Sequence, residues 1–266
     1  MLVKGFTGIA LIIFDDDSQL AFRFLSADFS LSQGINVYLP SYGGIRKRRI
    51  ISPMTGDING RISTILVENM ADNFYDLSYN APLVTIQLYF YNGTYRQFDG
   101  VRVENLTFDC KAGEMVQLSL DMLCMSESTE NSTGEYNSIK SFRTSTEKLV
   151  PWTVTTMQGV YNGDITSFSY SIKNNLVTVK TAMSLLPRAI NLGIQEVSGN
   201  IILADVIDPP RDNLEDNLII EDDVFFKIDD FEVTHRIAAH WSYRTPLTPE
   251  IVLTTLDWVR VDEMTS

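Results

Sequence analysis

The sequence has 266 residues, of which 44% are hydrophobic and 21% are charged, and it carries a formal net charge of -13 with a pI near 4.5. This hydrophobic content suffices for one large or two modest domains with packed cores, and it excludes disorder as the general state of the chain. The acidic charge disfavours tight nucleic-acid binding, because such binding depends on Lys and Arg neutralising phosphates.

The N-terminal region contains the apolar run Gly8–Phe14, which ends at Asp15-Asp16-Asp17 and is too short to span a bilayer. Acidic residues stand where a secretory signal would have a small-residue cleavage site. We therefore expect a soluble protein, made in the cytoplasm and without a membrane partner.

Cys110 and Cys124 are too few for a disulfide scaffold or a four-cysteine zinc site, and we expect both to be reduced apolar core residues.

Most of the chain shows a hydrophobic period of two, with β-branched and aromatic residues alternating with polar ones, which predicts strands. Asn92-Gly93 is a typical type I′ turn pair and predicts a hairpin between the runs ending at Tyr91 and beginning at Tyr95. In chain order, the predicted strands are Ser18 to Leu31, Arg49 to Ile51, Gly60 to Val67, Val84 to Tyr91, Gln97 to Thr107 and Met115 to Met125.

One segment has a helical period instead. Between Glu68 and Tyr79, the residues Met70, Phe74 and Leu77 recur at helical spacing, with acidic residues between them and Pro82 just beyond. We predict a helix there. A helix among strands indicates a mainly β protein, an antiparallel sheet or sandwich with a helix packed on one side.

The sequence also indicates an internal repeat. Three segments of the first half match segments of the second half in the same order, at offsets of 141, 139 and 136 residues. The matched pairs are Phe29-Ser30-Leu31-Ser32 with Tyr170-Ser171-Ile172-Lys173, Ile58-Asn59-Gly60-Arg61-Ile62 with Val197-Ser198-Gly199-Asn200-Ile201, and Leu120 to Glu127 with Leu256 to Glu263.

We interpret these matches as two tandem domains, residues 1–135 and 136–266. Ser126 to Thr146 is rich in Ser, Thr, Glu and Asn without a sustained apolar period, which is typical of a linker, so the boundary is placed near Tyr136. The alternative is one continuous β domain whose strands resemble one another.

The order of elements in the first copy is a strand pair, a long connection, a glycine-containing strand, a helix, a hairpin and a last strand. This order resembles the tail tube proteins of tailed bacteriophages, a fold shared with the tube and baseplate-tube proteins of contractile injection systems. The residues that carry the resemblance are Ala27 to Leu31, Ser52 to Ile62, Asn73-Phe74-Tyr75 and Val116 to Asp121, with Phe168 to Ile172, Pro187 to Gly193 and Val197 to Ile202 in the second copy.

The resemblance implies two tandem antiparallel β-sandwich or barrel domains, each with about one helix packed on its sheet. It implies a structural protein of the virion tail, assembled in the host cytoplasm, in which three two-domain chains form a pseudo-hexameric ring and the rings stack into an acidic tube. Its partners would be sheath, baseplate or terminator proteins, and DNA would pass without specific binding. The departure from the pattern is Asp208 to Asp223, where Pro209-Pro210 interrupts the place of a second helix.

The sequence contains no recognisable catalytic, cofactor or metal motif, so we expect a protein that is not an enzyme and has no cofactor. His235 and His240 are five residues apart, which misses the spacing of a helical zinc pair. Phosphate loops, dinucleotide-binding glycine motifs and nucleophile elbows are missing from the sequence. Acidic clusters such as Asp15-Asp16-Asp17 and Asp229-Asp230 lack the spacing of a calcium loop and are interpreted as solvated loops or a negative wall.

Arg46, Lys47, Arg48 and Arg49 form one basic run in an acidic chain, just after Gly43-Gly44. A run of this kind can contact nucleic acid, lie in a solvated loop, or bind the acidic surface of a neighbouring subunit. We favour the inter-subunit contact.

Other functions remain possible on the sequence alone. The chain could be a tube-initiator, baseplate or hub ring component. It could also be a carbohydrate-binding β-sandwich on the virion surface, with Tyr89, Tyr91 and Tyr95 exposed to stack on sugars. An enzyme using a carboxylate pair on a β scaffold is supported only by the abundance of Asp and Glu.

Overall fold

The computed structural model describes residues 8–32, 35–38, 50–53, 56–90, 95–130, 148–158, 164–181, 186–204, 220–244 and 253–261. Within these ranges the protein is mainly β, with antiparallel pairing throughout and one α-helix. The predicted mainly β sandwich with a helix on its sheet is confirmed, and the strands of the described ranges do not close into a barrel.

The first half of the chain contains ten strands and the helix in the described ranges. They are β1 (Gly8–Phe14), β2 (Gln19–Phe24), β3 (Ser26–Ser32), β4 (Ile35–Tyr38), β5 (Ile50–Pro53), β6 (Asp57–Ile65), α1 (Ala71–Tyr79), β7 (Val84–Phe90), β8 (Tyr95–Lys111), β9 (Gln117–Cys124) and β10 (Ser126–Glu130).

The second half contains a short 3-10 turn at Trp152–Val154 and eight described strands. They are β11 (Thr155–Gln158), β12 (Asp164–Lys173), β13 (Val177–Val179), β14 (Ala189–Asn191), β15 (Glu196–Ala204), β16 (Ile220–Ile228), β17 (Phe231–Arg244) and β18 (Leu253–Arg260).

Strand β8 belongs to two sheets because it turns at Gly100, where φ is +60° and a Cβ would collide with Met125. Its first part joins the short sheet, whose order is β2-β1-β7-β8-β10. Its second part joins the long sheet, whose order is β3-β6-β9-β8-β12-β15-β18-β17-β16-β11. The long sheet therefore runs through both halves of the chain. Strands β4 and β5 pair separately, as do β13 and β14.

The main core lies between the two sheets and under α1. Alternate residues of the long sheet's strands point into it, for example Leu118, Leu120 and Met122 of β9. Helix α1 adds Phe74, whose ring meets Phe22 edge to face at 5.0 Å between centroids. One apolar core therefore joins the first half, the helix and the second half.

Several predicted elements differ in detail from the structure. The predicted strand Ser18 to Leu31 is two strands, because the chain passes from the short to the long sheet at Leu25. The predicted linker begins too early, since Ser126–Glu130 is an edge strand paired with β8. The remaining linker residues, with the boundary near Tyr136, lie outside the described ranges, as do Asn92-Gly93 and Pro209-Pro210.

The predicted exposure of Tyr89 and Tyr95 is wrong. Both side chains are buried on the outer face of the short sheet, where their rings stack on each other at 5.3 Å and pack with Ile9. The Tyr89 hydroxyl also donates a hydrogen bond to Gln87. Tyr91 lies outside the described residues. These two rings therefore offer no platform for a sugar.

Candidate functional site

The long sheet has one face that turns away from the core and from α1, and most of its side chains are polar. Strand β6 shows the cause, since Ile58 and Ile62 are buried while Asn59 and Arg61 between them are exposed. The same alternation continues in β12, where buried Phe168, Tyr170 and Ile172 alternate with serines. The polar face thus crosses from the first half of the chain to the second.

A row of hydroxyl side chains runs across the middle of the polar face. Neighbouring strands place them opposite one another in register, so the row continues without interruption through six strands. The members, in spatial order, are Ser26, Ser63, Ser119, Thr107, Ser171 and Ser198. At the junction of the halves, the Thr107 and Ser171 hydroxyl oxygens lie 3.4 Å apart. The row is a narrow, uncharged and hydrophilic band.

A row of charged residues lies beside the hydroxyl row. Asp28, Arg61 and Asp121 are opposite one another on β3, β6 and β9, and Arg61 forms an ion pair with Asp121 at 3.1 Å. The row continues through Asn105 to Lys173 on β12. These side chains line a shallow groove of about 530 Å³ together with Glu104. The groove is open, so it is part of a surface and is not an enclosed active site.

The polar face is acidic in the described part of the chain. Its acidic residues are Asp28, Asp57, Glu104, Asp109, Asp121, Glu196, Asp223, Glu232 and Asp257, and its basic residues are Arg61, Lys111, Lys173, Lys227 and Arg236. Partial burial raises the pKa of Glu104, and nearby Lys173 offsets this only in part. Partial burial likewise raises the pKa of Asp109. Acids therefore outnumber bases on this face.

The C-terminal end of α1 is tied to the second half by Asn174, whose side chain is buried. Its amide donates hydrogen bonds to the backbone oxygens of Ser78, at 2.8 Å, and Val103, at 2.9 Å. Its own oxygen accepts a hydrogen bond from Gln195 at 3.0 Å. One side chain of the second half thus pairs with the helix and with β8, both in the first half.

The N-terminal end of α1 is also held by the second half. Asp229 accepts a hydrogen bond from the backbone N–H of Asn69 at 2.6 Å, and Asp230 accepts one from Ala71 at 3.2 Å. Both carboxylates come from the turn between β16 and β17. Asp230 satisfies the N–H of the first helical residue, which has no partner within the helix, Asp229 holds the residue before the N-cap, and both carboxylates complement the positive end of the helix dipole. Asp229-Asp230 thus lie in a loop, as predicted, and their carboxylates also accept these two hydrogen bonds.

The remaining residues singled out from the sequence are dispersed. Arg46, Lys47, Arg48 and Arg49 lie outside the described residues, so their inter-subunit role stays a prediction. His235 is buried and hydrogen-bonded to the Tyr170 hydroxyl at 2.7 Å. His240 lies on β17 opposite Asp257. In the described ranges, His, Cys, Asp and Glu side chains do not gather in a group that could hold a metal ion.

Neither the two cysteines nor the helix adds a functional site to the described part of the chain. Cys110 and Cys124 are free and lie in the core as predicted, and burial raises the pKa of both thiols, that of Cys124 to about 12. Within the described part of the chain, the helix lacks the length and apolar character needed to cross a membrane.

Comparison with models of known protein families identifies a family for this chain. A family model described as phage tail tube protein matches residues 55–204, which is more than half of the chain and extends from before β6 through β15. The matched region includes the central hydroxyl residues Ser63, Thr107 and Ser171 and the joint between the halves. No curated protein matches the chain.

Proposed function

Because the chain belongs to the phage tail tube protein family and is a structural component of the virion tail, we propose that three copies form a ring whose channel is lined by the polar face. The rings would stack into the tail tube and carry the genome. The observation that best supports this proposal is the long sheet. It continues through both halves of the chain and has one covered apolar face and one open polar face. A wall around a channel needs these two faces.

The composition of the polar face suits a channel for DNA. The acidic residues repel phosphates, so a passing duplex does not release counterions and is not trapped. The hydroxyl row adds a band of small side chains that bind water and carry no charge. The ion pair between Arg61 and Asp121 keeps that Arg engaged with a carboxylate beside the band. Such a wall guides DNA without holding it.

The two halves of each chain would serve as two quasi-equivalent domains, so three chains occupy six positions around the ring. The strand order supports this proposal. The first half contributes β3-β6-β9-β8 to the long sheet and the second half contributes β12-β15-β18-β17. Glycines occupy corresponding places, with Gly60 opposite Met122 and Gly199 opposite Trp258. Residues 1–135 and 136–266 would then be copies of one domain.

The proposal is tested by microscopy and by the accessibility of engineered cysteines. Negative-stain microscopy and mass photometry of the full chain should show trimeric rings and their stacks. Rings that form but do not stack would favour the tube-initiator or hub component that the sequence also allows. A strictly monomeric protein at micromolar concentration would contradict the proposal.

The orientation of the polar face is tested by a matched cysteine pair. Ser119→Cys lies in the hydroxyl row, whereas Asp76→Cys lies on the exposed side of α1. A maleimide carrying a protein-sized group should label both variants before assembly, and only Asp76→Cys after assembly. The native thiols should stay unlabelled because they are buried with raised pKa values. Equal labelling of Ser119→Cys in assembled tubes would contradict an inward polar face.

A further inference from the structure

We draw no further inference here: the strongest candidate, the surface patch of exposed apolar side chains that Val177, Val179, Leu192 and Ile194 form on and next to the paired strands β13 and β14, carries none because nothing in the described part of the chain shows what covers it, and a contact between stacked rings there would restate an established property of phage tail tube proteins.

Discussion

Replacing Asn174 with alanine should destabilise the protein by loosening the connection between its halves. The Asn174 amide donates to the backbone oxygens of Ser78 and Val103 in the first half. Alanine supplies neither hydrogen bond, and both acceptors lie in a region from which water is largely excluded. The substitution therefore removes both of these buried hydrogen bonds, together with the part-buried one that the Asn174 oxygen accepts from Gln195.

The expected cost follows from that geometry. A buried polar group left without its partner costs about 1–3 kcal/mol, and the costs at neighbouring sites are not fully additive, so losing both bonds should reduce the free energy of unfolding by roughly 2–4 kcal/mol. For a protein of this size, each kcal/mol lowers the melting temperature by about 2–4 °C. We expect a decrease of roughly 4–16 °C for Asn174→Ala.

The assay is thermal unfolding monitored by circular dichroism, with Asn73→Ala as the matched control. Asn73 is an exposed helix residue whose amide makes one long contact, 3.4 Å, to the backbone oxygen of Asn69. Its replacement should change stability by no more than about 0.5 kcal/mol. Asn174→Asp keeps the shape but loses the donors, so it should be at least as destabilising as Asn174→Ala. Similar melting temperatures for Asn174→Ala and Asn73→Ala would refute the reasoning.

Three further predictions concern the groove, the core and the basic run. Burial raises the pKa of Glu104, so its ionisation opposes folding near neutral pH. Glu104→Gln should raise the melting temperature there, and the gain should vanish as the pH falls through the carboxyl pKa; a pH-independent gain would contradict this. Gly60→Ala would place a Cβ within 2.1 Å of the buried Phe29 ring, and urea unfolding should show a loss of about 1–3 kcal/mol; unchanged stability would be the opposing result. Replacing Arg46–Arg49 with serine should weaken ring formation in size-exclusion chromatography without lowering the melting temperature, and unaltered rings would exclude the inter-subunit role.

The sequence predicts the interior strands of the first half best. Strands β6 and β9 have one buried and one polar face, so their alternation is visible in the sequence. Strand β1 shows no such alternation because both of its faces are covered. Ile9 packs with Tyr89 on one face, and Ile12 lies in the main core on the other. Its residues form a continuous apolar run, which has no period to detect.

The N-terminal end of α1 shows why the start of the helix and its capping residues could not be predicted from the sequence. The helix begins at Ala71 and not at Glu68, because Asn69 has a φ of 62° that a helix does not allow. Its capping carboxylates, Asp229 and Asp230, are about 160 residues away in the chain. No local sequence signal connects an acidic turn to a helix end at that separation. Only the pairing of strands between the halves brings them together.

The internal joint between β8 and β12 also affects how quickly a ring can form. A contact within one polypeptide forms at an effective concentration set by the connecting chain, about millimolar for a short flexible connection, and not at the concentration of free subunits. The proposed ring has six contacts between neighbouring domains. Three of them lie within a chain and form as that chain folds. Three chains then assemble in two bimolecular steps and one closure within the complex, whereas six separate domains would need five bimolecular steps and one closure. Fusing two domains into one chain thereby shortens the route to a closed ring and reduces the number of incomplete arcs with exposed strand edges.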